Sequence, residues 1–216
     1  MPLEKHIDHT LLKPVATPKA IKQLCAEARK YNFYAVCVNS CYVALAREEL
    51  KDSEVKIAAV VGFPLGAMST EAKVYEAQYC LEQGADEIDM VMNLGWLKSE
   101  EFGPVKEEIA LIKQAIGSRK LKVIIETCYL TAEEKKIASM LVVEGKADFV
   151  KTSTGFGSGG ATFEDIELIS NVIQNKIKIK ASGGIKDKKT ALRYLDMGVS
   201  RLGTSSGIAI VKETNP

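Results

Sequence analysis

Residues 148–160 read DFVKTSTGFGSGG, a short apolar run that ends on Lys151 and runs into a glycine-rich loop. A phosphate-gripping P-loop has its glycines first and its lysine after them, so this segment is in the wrong order for one. Its GFGSGG portion does fit the GxGxxG spacing of a dinucleotide site. That fingerprint, however, belongs directly after the first strand of an open doubly wound sheet. Here it follows a late strand, with no further βαβ half and no suitably placed acid behind it. The open sheet is set aside on this ground.

Working outward from that segment, the chain alternates. Short β-type runs occur at HIDHT (6–10), AVCVN (35–39), KIAAVVGF (56–63), EIDMVMN (87–93), KVIIET (122–127), DFVKTS (148–153), KIKAS (178–182) and SRLGTSS (200–206), the first and last being the weakest. Most are separated by enough residues for a helix. Several helices carry start signals. Thr17 precedes Pro18 and an apolar stripe of Ile21, Leu24, Cys25 and Ala28; Thr131 and Glu134 form a capping box before Ile137, Met140 and Leu141. Thr162 with Asp165 opens another, facing inward with Ile166, Ile169 and Ile173, and Asp187 caps a further one whose inward residues are Ala191, Leu192 and Leu195. Strands alternating with helices imply right-handed βαβ crossovers and a parallel sheet. Eight such units predict an α/β protein, a single (β/α)8 TIM barrel over residues 1–216. The chain is short beside the roughly 250 residues usual for that fold.

The charges nearly cancel, with 29 Lys and Arg against 28 Asp and Glu, which gives no electrostatic case for nucleic acid or an anionic membrane as partner. No apolar run approaches bilayer length, and the opening MPLEKHIDHT is too polar for the centre of a signal peptide. The five cysteines are odd in number and fall inside predicted elements, which reads as free thiols in a reducing compartment; a cytoplasmic location is expected. With His6 and His9 as the only histidines, neither a metal nor a cofactor is expected. His9 beside Asp8 reads as a structural hydrogen-bonding residue rather than half of a catalytic pair.

Parallel strands covered by helices are usually near-continuous apolar runs, so their polar residues are informative. In KIKIKAS (176–182), Ile177 and Ile179 share one face and Lys176, Lys178 and Lys180 the other. Isoleucines facing the helices turn the lysines toward the barrel interior, with Lys180 nearest the C-terminal mouth. Lys151 also ends its strand. Asp89, between Ile88 and Met90, points inward, and Asp8 and Glu126 have similar placements. Singly, each lysine could be a solvated strand end and Asp89 a hydrogen-bonded core carboxylate. Together, at the end of a barrel where chemistry takes place, two lysines and an aspartate have no simple structural explanation. A lysine beside a second ammonium, out of water, becomes a nucleophile that can form an iminium ion with an aldehyde, and a carboxylate can relay protons.

Three late loops, TGFGSGG (154–160), SGGI (182–185) and GTSSG (203–207), are rich in small residues. Any one of them reads as a tight turn. The second and third follow strands seven and eight, where barrels frequently bind phosphate through backbone amides.

IDHTLLKP, VGFPLG, GADEIDMVMN, KVIIET, DFVKTSTGFGSGGAT, KASGGI and RLGTSSG, in this order from Ile7 to about Gly207, resemble the motifs of the deoxyribose-phosphate aldolases, a class I aldolase family. The resemblance implies a (β/α)8 barrel that reversibly cleaves 2-deoxy-D-ribose 5-phosphate into D-glyceraldehyde 3-phosphate and acetaldehyde. It implies Lys151 as the Schiff-base lysine, Lys180 as the second lysine that lowers the pKa of the first, and Asp89 as the proton relay. It places the phosphate against Gly155, Gly183, Gly184, Ser205 and Ser206, with Asp8, Thr10 and Cys37 near the pocket. Homodimers or homotetramers are implied as well. Some members carry a C-terminal tyrosine that assists proton transfer, which VKETNP lacks, and some carry a lysine where Phe156 stands. The readings that compete are a Schiff-base aldolase or transaldolase for another sugar phosphate, an enolising isomerase with Glu126 as base, and a non-catalytic sugar-phosphate sensor.

Overall fold

The eight apolar runs pair in parallel with their sequence neighbours and close on themselves. In the computed structural model, which describes residues 2–213, the strands are β1 (Ile7–Leu11), β2 (Ala35–Val38), β3 (Lys56–Val61), β4 (Glu87–Val91), β5 (Lys120–Ile124), β6 (Phe149–Lys151), β7 (Lys178–Ser182) and β8 (Arg201–Thr204). They form a closed barrel in chain order, with β8 returning to β1. The helices are α1 (Pro18–Lys30), α2 (Val43–Glu49), α3 (Thr70–Glu82), α4 (Leu94–Lys98), α5 (Phe102–Ile116), α6 (Ala132–Glu144), α7 (Phe163–Ile173), α8 (Lys188–Asp196) and α9 (Gly207–Lys212). The expected (β/α)8 barrel is the observed fold. No helix among the described residues is long and apolar enough to cross a membrane.

The helix starts follow their capping residues. The Thr17 side chain accepts the Ala20 N–H with Pro18 in the first turn, and Thr131 and Glu134 satisfy each other's backbone reciprocally. Thr162 and Asp187 accept the N–H groups of Asp165 and Thr190. Two expected inward residues point the other way: Met140 is 46% exposed and Leu192 39%. On α6 the buried stripe runs through Ala138, Leu141 and Val142. On α8 the inward place belongs to Tyr194, whose hydroxyl donates to the Ala161 carbonyl at 2.7 Å.

Strand alternation separates two interiors. Residues such as Val36, Ile57, Ile88, Met90, Val123 and Leu202 face outward and pack with the helices into the main apolar core. Inside the barrel Leu12, Cys37, Ala58 and Val60 form a small apolar layer, against which Phe63 packs. The charged side chains of Asp8, Glu87, Asp89, Lys122, Lys151, Lys180 and Arg201 are also buried, with the Phe149 ring beside Lys122 and Arg201. The KIKIKAS alternation therefore holds only in part: Lys180 is enclosed, while Lys176 and Lys178 are exposed. β7 begins at Lys178, so these two residues lie at its N-terminal rim, in reach of water.

A buried ion pair also lies outside the barrel. Lys73 of α3 donates to the Val91 carbonyl at 2.9 Å and pairs with Glu108 of α5 at 2.9 Å, both side chains at 0% exposure. Burial disfavours both charges, pulling Lys73 down and pushing Glu108 up from their ordinary pKa values. Removing one partner from such a pair leaves an uncompensated group in the core. K73M is expected to lower the free energy of urea unfolding by about 3–5 kcal/mol, and the double variant K73M/E108L to recover most of that loss.

Candidate active site

The register aligns the charges. Asp89 sits level with Lys122, Lys151 with Lys180, and Lys180 with Arg201 on adjacent strands, while Lys122 sits level with Phe149, so Lys151 stands two residues nearer the C-terminal end of β6 than the row of Asp89 and Lys122. Gly203 of β8 leaves room for Lys180, since a Cβ there would stand 3.1 Å from its Cε.

Asp89 is the hub. Its Oδ1 accepts from Lys122 at 2.6 Å, and its Oδ2 accepts from both Lys180 at 2.8 Å and Lys151 at 2.9 Å. Lys180 also pairs with Asp8 Oδ2, and Arg201 pairs with Asp8 Oδ1 at 2.7 Å. Glu87 completes the set, 3.0 Å from Arg201 and 2.6 Å from Lys122. Burial would raise the Asp89 carboxyl, but Lys122, Lys151 and Lys180 outweigh it and hold the group well below the usual carboxylate range. In Asp8 the same contest, won by Arg201 and Lys180, leaves a pKa of about 2. Burial opposes the charge of Lys180, yet Asp8 and Asp89 hold it above the ordinary lysine value. Lys122 and Arg201 are raised by their carboxylates against burial in the same way.

Above this cluster, at the C-terminal ends of the strands, a cavity of about 400 Å³ opens between the loops after β1, β6, β7 and β8. Lys151 reaches its floor, whereas Asp89, Lys180 and Asp8 lie beneath it at 0% exposure. Gly155, Gly183, Gly184, Ser205 and Ser206 all line its wall, as does Thr10. Gly183 and Gly184 have φ of +83° and +81°, and a Cβ on Gly183 would come within 2.9 Å of the Gly160 backbone, so glycine is required where the two loops meet. Cys37 does not reach the cavity. It belongs to the inner apolar layer, and burial pushes its thiol up.

Glu126 has a different task from a base. It sits at a left-handed φ of +48°, accepts the Thr154 N–H at 3.2 Å and takes the Thr154 hydroxyl hydrogen bond. Thr154 Oγ1 in turn accepts the Phe156 N–H at 3.0 Å, so Glu126 fixes the loop that follows Lys151. His9 alternates to the outside of β1, where its Nε2 meets Glu27 of α1 at 2.8 Å, a structural contact as expected. Phe156 packs its ring edge-on against Phe63.

Sequence reasoning missed Lys122, Glu87 and Arg201 in the cluster, and Lys13 and Lys186 at the rim of the cavity. The pattern that exposed Asp89 also contained Glu87, two residues earlier on the same strand face, and Lys122 carries the alternation into β5. Arg201 carried no such signal, because its strand is short and polar. Among the described residues no group of three or more His, Cys, Asp or Glu side chains could hold a metal ion. The expectation about a C-terminal tyrosine concerns a tail whose residues 214–216 lie outside the described ones.

The carboxyl of Asp8 is depressed from 3.8 to about 2, so its contribution to stability is present above pH 4 and is lost as pH falls toward 2. A shift of that size is worth about 2 kcal/mol. The unfolding free-energy gap between the natural protein and D8N should therefore shrink between pH 6 and pH 3. A gap that does not change with pH would show that Asp8 is not held by these cations.

The geometry has counterparts in known proteins. A deoxyribose-phosphate aldolase of Coprothermobacter proteolyticus is 52% identical over 213 residues, covering 99% of this chain and 97% of the relative. The solved structure of QR15, an aldolase, superposes with a TM-score of 0.94 at 43% identity over 97% of this chain and 94% of its own. The deoxyribose phosphate aldolase of Aeropyrum pernix, described as a unique tetrameric structure, superposes at 0.88 with 31% identity, covering 97% and 89% of the two chains. The family described as DeoC/LacD family aldolase matches residues 4–214. With a closed barrel, a lysine at the cavity floor and homology along almost its whole length, the chain belongs to the DeoC/LacD family of aldolases.

Proposed function

We propose that this chain is a class I aldolase, a single catalytic domain of residues 1–216, that reversibly cleaves 2-deoxy-D-ribose 5-phosphate to D-glyceraldehyde 3-phosphate and acetaldehyde through a Schiff base on Lys151. The observation that carries this reading is that Lys151 is the one amine of the buried charged cluster that lines the cavity. Family membership and the named relatives support the substrate.

Lys151 Nζ, once deprotonated, attacks C1 of the open-chain aldehyde. The carbinolamine loses water to give an iminium ion, whose positive nitrogen draws electrons from the C2–C3 bond. Removal of the C3 hydroxyl proton cleaves that bond, releasing D-glyceraldehyde 3-phosphate and leaving an enamine. Protonation at C2 and hydrolysis then release acetaldehyde and free the lysine. Asp89 is the proton relay in this scheme. When the enamine forms, the Lys151 nitrogen is neutral, Asp89 loses one of its three cations, and it becomes a better proton acceptor at that moment. Lys180 stays charged throughout. The backbone of Gly155, Gly183 and Gly184 and the hydroxyls of Ser205 and Ser206 receive the phosphate, with Lys13 and Lys186 supplying charge at the rim. Phe156 places an apolar side chain where some relatives carry a lysine, which leaves those two residues as the cations of the phosphate site. The five free cysteines fit a reducing cytoplasm. A homodimer or homotetramer is proposed as the working form, and static light scattering measures it.

K151L is expected to abolish both turnover and borohydride trapping with acetaldehyde. An adduct that survives the substitution would sink the assignment. K186Q is expected to raise KM for the phosphorylated sugar roughly tenfold, the worth of one charge-assisted hydrogen bond, while leaving turnover of unphosphorylated 2-deoxyribose nearly unchanged.

A further inference from the structure

We infer that Arg201 and Glu87, which never reach the cavity, set the pH at which Lys151 becomes reactive, because they close a neutral circuit of ion pairs to which Lys151 is the surplus cation. The inference rests on Lys151 being the Schiff-base lysine. The circuit runs Arg201–Asp8–Lys180–Asp89–Lys122–Glu87 and back to Arg201, the last contact being 3.0 Å. Cations and carboxylates alternate, three of each, so the circuit balances without Lys151. Lys151 joins it by one contact, to Asp89 Oδ2 at 2.9 Å. A buried cluster with one charge in excess is costly, and the excess is relieved most easily where a proton can leave. Lys151 is the member of the cluster that lines the cavity, so it is the one that meets the space open to water and substrate.

The neighbours of the circuit leave this count intact. From β2 comes Cys37, a thiol whose burial favours its neutral form, and β3 offers Ala58 and Val60. Beyond β5, Glu126 is engaged with Thr154. Near Glu87, the Tyr34 hydroxyl stands at 3.4 Å and the Lys120 ammonium at 3.5 Å, but the Lys120 side chain is 42% exposed and its charge is met by solvent. Arg201 Cζ stands over the Tyr34 ring, 3.3 Å from its centroid. Arg201 and Glu87 are each 3% exposed and act on Lys151 only through the carboxylates and ammoniums between them, as positioning residues.

If these two residues merely packed the barrel, neutralising either would impair the enzyme without moving its pH dependence in a charge-specific direction. As members of a charge circuit they have opposite effects. E87Q removes a negative charge, favours the neutral amine and should move the acid limb of kcat/KM to lower pH. R201M removes a positive charge and should move it to higher pH. Glu87 is three ion pairs from Lys151 and Arg201 four, and at such separations each shift is on the order of one pH unit. The double variant E87Q/R201M restores balance and should return the limb close to its natural position. R201K keeps the charge and should leave it in place, which provides a readout if R201M does not fold. The same limb is followed by the pH dependence of borohydride trapping with acetaldehyde, with the modified lysine mapped by mass spectrometry and folding checked by circular dichroism. Shifts of the same sign in E87Q and R201M, or a folded E87Q whose limb does not move although its adduct maps to Lys151, would overturn the circuit alone. An adduct on another lysine in the natural protein would overturn the Lys151 reading, and this inference with it.

Discussion

One carboxylate, that of Asp89, organises the interior of this barrel. It receives ammonium groups from three strands: Lys122 from β5, Lys151 from β6 and Lys180 from β7. Each of those charges would be prohibitively expensive in a low-dielectric interior if left alone. Sharing one acceptor, and being linked in turn to Asp8, Glu87 and Arg201, they become tolerable. The arrangement has a cost in stability, since buried ion pairs seldom exceed well-packed apolar residues in what they contribute. The apolar core between sheet and helices carries the fold, which frees the inside of the barrel for chemistry.

The site is layered along the barrel axis. Arg201 and Glu87 lie on the N-terminal side, the lysines and aspartates fill the middle, and the loops form the mouth. Lys151 is where the middle meets the mouth: its nitrogen touches Asp89 below and the cavity above. The loop that follows it is held by Glu126, a strained residue whose carboxylate satisfies Thr154 twice. Lys151 and the loop that follows it are thus positioned by separate sets of contacts, Asp89 for the one and Glu126 for the other.

Much of this was legible beforehand. Alternation of strand and helix, four capping residues and the inward phase of Asp89 and Lys180 all follow from local rules, and the structure bears them out. The errors were equally local. Lys176 and Lys178 share the face of Lys180 but sit where the barrel opens to water, and Met140 and Leu192 have the right chemistry on the wrong side of their helices. Cys37, which the family resemblance places near the pocket, belongs to the inner apolar layer and does not line the cavity.

The sequence by itself determined the repeating unit, the phase of each strand and the presence of a lysine-and-carboxylate site, because these depend on residues within a turn or two of one another. Only the tertiary structure decided which charges meet. Asp8 and Lys180 are 172 positions apart and Asp8 and Arg201 are 193 apart, yet closure of β8 onto β1 makes them ion pairs. Pairing of that kind depends on register around the whole barrel, and register is a property of all eight strands at once.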